Sequence, residues 1–158
     1  MVKILRKHTN AVFRVDANCS WTAEQVIKYA SDLKSSGVEF IEQPLPRDSL
    51  TDMVKILDLS TLPIVADESC CTEEDIERCK GCFHGVNIKL AKCVGLTPAL
   101  RMIHNARNSG SKVIVGCMVE GTICISAIAH LLPLLDYVDM DGSILIRKDT
   151  DTADGDNR

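Results

Sequence analysis

The chain has 158 residues, 46% hydrophobic and 25% charged, which is enough for one domain with a sizeable core and too few for two ordinary ones. Its 18 basic and 22 acidic residues give a net charge of −4, which argues against a nucleic-acid-binding protein. No apolar run reaches the roughly 20 residues of a membrane span, and residues 2–8 lack the apolar segment of a secretory signal. We therefore expect a cytoplasmic protein that has neither nucleic acid nor membrane as a partner.

Eight cysteines would suggest a disulfide framework in a small secreted domain, but without a secretory signal they are expected to be free thiols. Cys79 and Cys82 form a Cys-x-x-Cys pair with His84 nearby, which leaves zinc as an alternative. A structural zinc site normally has a second such pair or two closely spaced histidines, and neither is present. Burial as small apolar side chains is the favoured interpretation.

A unit of one strand and one helix recurs along the chain. Six short β-branched or aromatic runs end at positions 22 to 28 residues apart, which is the length of one strand, one helix and two loops. These runs are residues 12–15, 38–41, 63–66, 86–90, 112–116 and 137–139. Strands alternating with helices at this spacing predict an α/β fold of parallel strands joined by right-handed crossovers.

The segments between the strands carry helix signals. Thr22 followed by Gln25 predicts a capping box, and Gly37 predicts the end of that helix. Thr72 precedes acidic residues that suit a first helical turn, and Pro98 is expected at a first helical position.

The ends of the strands distinguish a barrel from an open sheet. No Gly-rich phosphate-binding loop follows the first strand, which argues against a nucleotide-binding open sheet. Acidic residues follow the strands instead, as is typical of the active face of a (β/α)8 barrel, which has eight units and about 250 residues. We therefore expect a partial (β/α)8 TIM barrel of six units over residues 1–148, followed by an acidic, disordered tail over residues 149–158.

Three carboxylates follow consecutive strands. Asp16, Glu42 and Asp67 each come at the end of an apolar run, so on parallel strands roughly 4.8 Å apart they are expected to converge. Each acid alone is explained as a helix cap or a solvated loop residue, but three at equivalent positions favour a shared cation. A set of oxygen ligands without histidine or cysteine favours Mg²⁺.

Lys89 lies in an apolar strand, where burial would lower the pKa of its ammonium toward the range useful for a base. The alternative is a strand-end lysine that extends to water. Lys92 is the competing candidate and is expected on the loop that follows.

Four motifs in order resemble the muconate-lactonizing-enzyme subgroup of the enolase superfamily. They are Asp-Ala-Asn from position 16, Glu-Gln-Pro from 42, Ala-Asp-Glu-Ser from 66 and Asn-Ile-Lys-Leu-x-Lys-x-x-Gly from 87. The resemblance covers nearly the whole chain and corresponds to barrel strands three to eight. It implies that Asp16, Glu42 and Asp67 are Mg²⁺ ligands and that Lys89 is a catalytic lysine.

The last strand adds a resemblance to dipeptide epimerases. Asp139 and Asp141 form an Asp-x-Asp pair, which implies that they hold the α-ammonium of a dipeptide substrate such as Ala-Glu. The segment from Gly116 to Glu120 is also similar to that branch. A polar turn before Gly142 is the alternative interpretation of the two aspartates.

The resemblance implies an isomerase that transfers an α-proton through a Mg²⁺-stabilised enediolate. The family's second catalytic lysine belongs to a Lys-x-Lys motif that would precede Met1, and the N-terminal capping domain is also absent from the sequence. The chain is therefore expected to be a fragment that is inactive alone. The alternatives are another enzyme of the subgroup, such as an o-succinylbenzoate synthase or a cycloisomerase, or a non-catalytic chain that forms homo-oligomers through open barrel edges.

Overall fold

The computed structural model describes residues 1–147 and residue 149. Six strands form one parallel sheet whose spatial order follows the chain, and each strand is linked to the next through helical segments. The strands are β1 Phe13–Asp16, β2 Val38–Glu42, β3 Ile64–Ala66, β4 Gly85–Lys89, β5 Lys112–Gly116 and β6 Tyr137–Val138. This arrangement confirms the predicted α/β class and the partial barrel of six units.

Seven α-helices occur in the described part of the chain. They are α1 Val2–Leu5, α2 Ala23–Ser35, α3 Leu50–Leu57, α4 Glu73–Cys79, α5 Leu90–Cys93, α6 Leu96–Asn108 and α7 Thr122–Ala129. Single 3₁₀ turns cover Leu132–Leu134 and Gly142–Leu145. None of these helices is long and apolar enough to cross a membrane.

The helix starts follow the sequence signals, with one exception. Thr22 and Gln25 form the predicted capping box, in which Gln25 Oε1 accepts from Thr22 N at 2.8 Å and Thr22 Oγ1 accepts from Gln25 N at 3.3 Å. Helix α6 begins at Leu96, so Pro98 is its third residue, and the prediction of a first position is wrong. Proline is tolerated there because the first four amides of a helix have no intrahelical partner.

The sheet is curled, with helices on its outer face and a lumen on its inner face. The outer core contains alternate strand residues such as Ile41, Ile64 and Ile88 packed against the helices. A smaller inner cluster joins Phe40, Val65, Ile114 and Tyr137. The Arg14 guanidinium of β1 lies 4.7 Å from the centroid of the Tyr137 ring of β6, so the first and last strands contact each other across the lumen.

The strand ends lie level with one another on this curled sheet. Asp16 of β1 is in register with Glu42 of β2, and Lys89 of β4 is in register with Gly116 of β5. A register shift in the β1–β2 pair places Val38 and Ile41 in the outer core. The carboxyl ends of the strands therefore present their polar side chains at one end of the lumen.

Five of the cysteines, Cys70, Cys79, Cys82, Cys93 and Cys117, are buried in the outer core. Asp149 accepts a hydrogen bond from Thr122 N at 2.8 Å. The rest of the segment predicted as a disordered tail lies outside the described residues.

Candidate active site

The three acids at the ends of β1, β2 and β3 converge. Asp16 and Glu42 end their strands, Asp67 directly follows β3, and each offers a carboxylate oxygen within 4.8 Å of the other two. Asp67 is buried, Glu42 is half-buried and Asp16 is exposed, so the group opens toward the lumen. The structure therefore places these residues together as the strand-end positions predicted.

Burial and mutual repulsion affect the ionisation of these carboxylates. Burial and the charges of Asp67 and Asp16 together raise the pKa of Glu42 to about 7, against the opposing effects of a hydrogen bond from Asn87 and the charge of Lys89. Three close carboxylates repel one another unless positive charge lies between them. The hard oxygen donors on three strands and the open lumen side fit Mg²⁺, which usually keeps positions for water or substrate.

Lys89 faces the lumen beside these acids. Its Nζ donates to Asp67 Oδ2 at 2.7 Å, and its side chain lines a cavity of about 530 Å³ together with Asp16, Glu42 and Asp139. Burial alone would lower the pKa of Lys89, but the hydrogen bond to Asp67 and the charges of the acids raise it above its usual value. The predicted lowering of this pKa is therefore wrong for the charges present in the structure.

Lys92 also reaches Asp67. Its Nζ donates to the Asp67 main-chain oxygen at 2.7 Å and to Oδ1 of the same residue. The prediction of a loop position for Lys92 is wrong, because α5 begins directly after β4 and includes Lys92. Lys89 lines the cavity and Lys92 does not. Lys89 therefore remains the candidate base.

The last strand brings a second acidic pair to the same end of the sheet. Asp139 follows β6 and lines the cavity, and Asp141 N donates to Asp139 Oδ1 at 3.4 Å. Burial and the charge of Asp141 raise the pKa of Asp139. Cys117 Sγ accepts from Gly142 N at 3.2 Å and lies within 4.8 Å of carboxylate oxygens of both aspartates. The described residues therefore form two clusters of metal-ligating groups, and neither contains the Cys79–Cys82 pair.

Gln43 is a site residue to which the sequence interpretation gave no role. Its side chain is fully buried, and Oε1 accepts from Asp67 N at 2.9 Å and Ser69 N at 3.1 Å. Its Nε2 donates to Leu45 O at 2.8 Å and Ser69 Oγ at 2.9 Å. Gln43 thus joins the loops after β2 and β3 and fixes the backbone of Asp67. The Glu-Gln-Pro motif was the available signal, although motif position alone does not show which groups a buried amide contacts.

Asn87 is the second residue without a predicted role. It lies two residues before Lys89 on the lumen side of β4 and donates from Nδ2 to Glu42 Oε1 at 2.6 Å. Strand alternation is the signal that could have found it, because residues two apart share a face.

Acids and lysines at the carboxyl ends of curled parallel strands are the arrangement of the active face of a (β/α)8 barrel. The chain belongs to the enolase C-terminal domain-like family, whose sequence model matches residues 1–153.

The chain is similar to several proteins named as epimerases. It is 58% identical over 149 residues to the L-Ala-D/L-amino acid epimerase of Maribacter sp., covering 94% of this chain and 44% of that protein. It is 38% identical over 153 residues to the L-Ala-D/L-Glu epimerase of Escherichia coli, with coverage of 97% and 47%. A dipeptide epimerase from Cytophaga hutchinsonii, solved with Mg and the dipeptide D-Ala-L-Val, has a TM-score of 0.87 and 30% identity, covering 94% of this chain and 42% of that one. The chain thus spans somewhat less than half the length of these isomerases.

Proposed function

We propose that this chain provides the metal site and one acid–base residue of a Mg²⁺-dependent dipeptide epimerase. The observation that carries the proposal is the convergence of Asp16, Glu42 and Asp67 within 4.8 Å, beside Lys89 in one cavity. The similarity to proteins named L-Ala-D/L-amino acid epimerase and L-Ala-D/L-Glu epimerase supports the same class of reaction.

The three carboxylates would hold the Mg²⁺ ion. When bound, Mg²⁺ supplies positive charge that stabilises the negative charge developing on the substrate carboxylate as the α-proton leaves. Gln43 supports the ligand set by fixing the Asp67 backbone, and Asn87 supports it by holding one oxygen of Glu42.

Lys89 is proposed to move the α-proton. Its Nζ faces the cavity beside the acids, where a substrate carboxylate bound at the metal would place its α-carbon nearby. A single lysine removes and returns a proton on one face of the substrate, whereas inversion needs an acid on the opposite face. Lys89 is the only lysine among the described residues that line the cavity. This chain by itself is therefore expected to exchange the α-proton without inverting the carbon.

Asp139 and Asp141 are proposed to bind the α-ammonium of the dipeptide. Both belong to the acidic pair after β6, and Asp139 shares the cavity with Lys89. Two carboxylates can each accept a charge-assisted hydrogen bond from one ammonium, which favours a substrate with a free α-ammonium group. An o-succinylbenzoate synthase or a cycloisomerase would share the metal site and Lys89 but would have no ammonium for these aspartates to bind.

Isotope exchange tests the proposed reaction. L-Ala-L-Glu is incubated with the chain and Mg²⁺ in D₂O, and α-deuteration and epimer formation are followed separately by NMR. We expect slow Mg²⁺-dependent deuteration with retention, which Lys89→Met abolishes and Asp139→Asn weakens through a higher KM. No exchange in the native chain, or exchange that survives Lys89→Met, would contradict the proposal.

Self-association is proposed for the open edges of the sheet. Within the described residues, β1 pairs only with β2 and β6 pairs only with β5. Unpaired strand edges favour association with another chain. Light scattering after size-exclusion chromatography would show a dimer or larger species, and a monomer across a tenfold range of concentration would contradict this part of the proposal.

A further inference from the structure

We propose that Asn87 is a positioning residue that orients Glu42 toward the cation, and that Gly116 lacks a side chain to leave room for the Asn87 amide. The inference rests on the proposed metal site and concerns two residues outside the ligand set.

The contact between Asn87 and Glu42 is short and buried. Asn87 is 4% exposed, and its Nδ2 donates to Glu42 Oε1 at 2.6 Å across the lumen side of the sheet. A hydrogen bond to Oε1 fixes the plane of the carboxylate and leaves Oε2 for another partner. Groups that hold metal ligands in this way commonly determine metal affinity.

The Asn87 amide contacts Glu42 through its donor end. Asn87 Oδ1 is buried and has no hydrogen-bond partner among the residues that the structure describes. Reversing the amide would bring Oδ1 against Glu42, where two acceptors would face each other if the carboxylate is ionised. The donor end of the amide therefore matches the acceptor oxygen of Glu42.

Gly116 provides the space for this arrangement. A Cβ built at Gly116 would lie 2.9 Å from both Nδ2 and Oδ1 of Asn87. Gly116 is not among the glycines with positive φ, so its backbone does not require glycine. Because the clashing atoms are the free end of a side chain, alanine at position 116 would displace the amide and leave the strands in place.

Calorimetric titration of Mg²⁺ into the 158-residue chain tests the proposal. Asn87→Ala is expected to weaken Mg²⁺ binding about 10- to 100-fold, the usual range for partners that hold metal ligands. Gly116→Ala is expected to weaken it in the same direction. The double variant should bind Mg²⁺ about as well as Asn87→Ala alone, because the amide that the new Cβ displaces is gone. Asn105→Ala, on the exposed face of α6, is the matched control and should leave the affinity unchanged.

A folding control separates the possible outcomes. Urea unfolding without metal shows that each variant is folded, and if Asn87→Ala does not fold, Gly116→Ala alone decides the question. Unchanged Mg²⁺ affinity in both single variants, or independent losses that multiply in the double variant, would overturn the role of Asn87.

The native chain and Asp16→Asn report on the metal site itself. Binding by the native chain that Asp16→Asn abolishes supports the site, and the Asn87 and Gly116 variants then decide this inference alone. A native chain that binds no Mg²⁺ overturns both the proposed site and the inference.

Discussion

Lys89 Nζ lies 2.7 Å from Asp67 Oδ2 and links the residue after β3 to the end of β4. Lys92 holds the other oxygen of the same carboxylate, so two ammonium groups meet on one aspartate. Both lysines and Asp67 are largely buried, with 14%, 20% and 6% of their side chains exposed. Asp67 is therefore both a proposed metal ligand and the anion that stabilises two buried lysines.

Removing the charge of Asp67 should destabilise the fold in the absence of metal. Asp67→Asn leaves two partly buried ammonium groups without their anion, which is expected to cost about 3 kcal/mol in the free energy of unfolding. Urea unfolding measures the change. Asp32→Asn is the control, because Asp32 pairs with Lys3 with about two-thirds of both side chains exposed and should lose less than about 1 kcal/mol. Equal losses in the two variants would show that the Asp67 pairs contribute no more than a surface pair.

Replacing Gln43 should destabilise the protein more than replacing Gln25, which belongs to an exposed capping box. Gln43→Met keeps the size of the side chain but leaves the Asp67 and Ser69 amides without their acceptor. Each unsatisfied buried group costs about 1–3 kcal/mol, so a loss of roughly 2–4 kcal/mol is expected by urea unfolding. Gln25→Ala, which removes half of an exposed capping box, should cost about 1 kcal/mol or less. A smaller loss for Gln43→Met than for Gln25→Ala would be inconsistent with the proposed anchoring role.

The fold followed from the sequence because its signals are local. The six strands match the apolar runs, since β-branched residues bounded by polar loops form strands largely irrespective of their neighbours. Thr22 with Gln25 specified a helix start for the same reason. Pro98 alone did not determine where α6 begins, because several positions in the first turn of a helix tolerate proline.

The site was only partly predictable from sequence. Asp16, Glu42 and Asp67 could be placed together because parallel strand ends meet at one edge. The contacts of Gln43 and Asn87 depend on how side chains from different strands pack, which no local pattern specifies. The direction of the Lys89 pKa shift was wrong for a similar reason, since it depends on the balance between burial and three surrounding charges.

The stability of the native chain should fall as the pH drops below about 6.5, in part because of His84. Partial burial lowers the pKa of His84, and its Nδ1 accepts a hydrogen bond from Ile64 N at 3.1 Å, which requires an unprotonated nitrogen. The unfolded chain then binds the proton more readily, so this stabilisation is complete above the unfolded pKa of 6.5 and is lost as the pH falls toward the lower folded value.

Urea unfolding of the native chain and His84→Gln at pH 7.5 and 5.5 measures this contribution. The native chain should lose more stability on acidification than His84→Gln, whereas His104→Gln, on the exposed face of α6, should follow the native chain. The same pH dependence in the native chain and in His84→Gln would assign the effect to other groups.

Adding a side chain at Gly142 should disturb the acidic pair after β6. A Cβ at Gly142 would lie 2.1 Å from Met118 O and 3.2 Å from Glu120 N, both of which are backbone atoms that cannot move aside. Gly142→Ala is expected to cost about 1–3 kcal/mol. It should also increase hydrogen exchange of the segment that carries Asp139 and Asp141. Gly81→Ala, at a position with open space around it but a φ of +72°, is a comparison in which only backbone strain contributes.

Anomalous scattering from crystals of the chain grown with Mn²⁺ tests the proposed metal site, because it locates a Mg²⁺ substitute without depending on activity. We expect one peak between the carboxylates of Asp16, Glu42 and Asp67, displaced from the second cluster formed by Cys117, Asp139 and Asp141. The peak should be absent in crystals of Asp67→Asn. A peak at the second cluster alone, or none at saturating Mn²⁺, would contradict the proposed metal site.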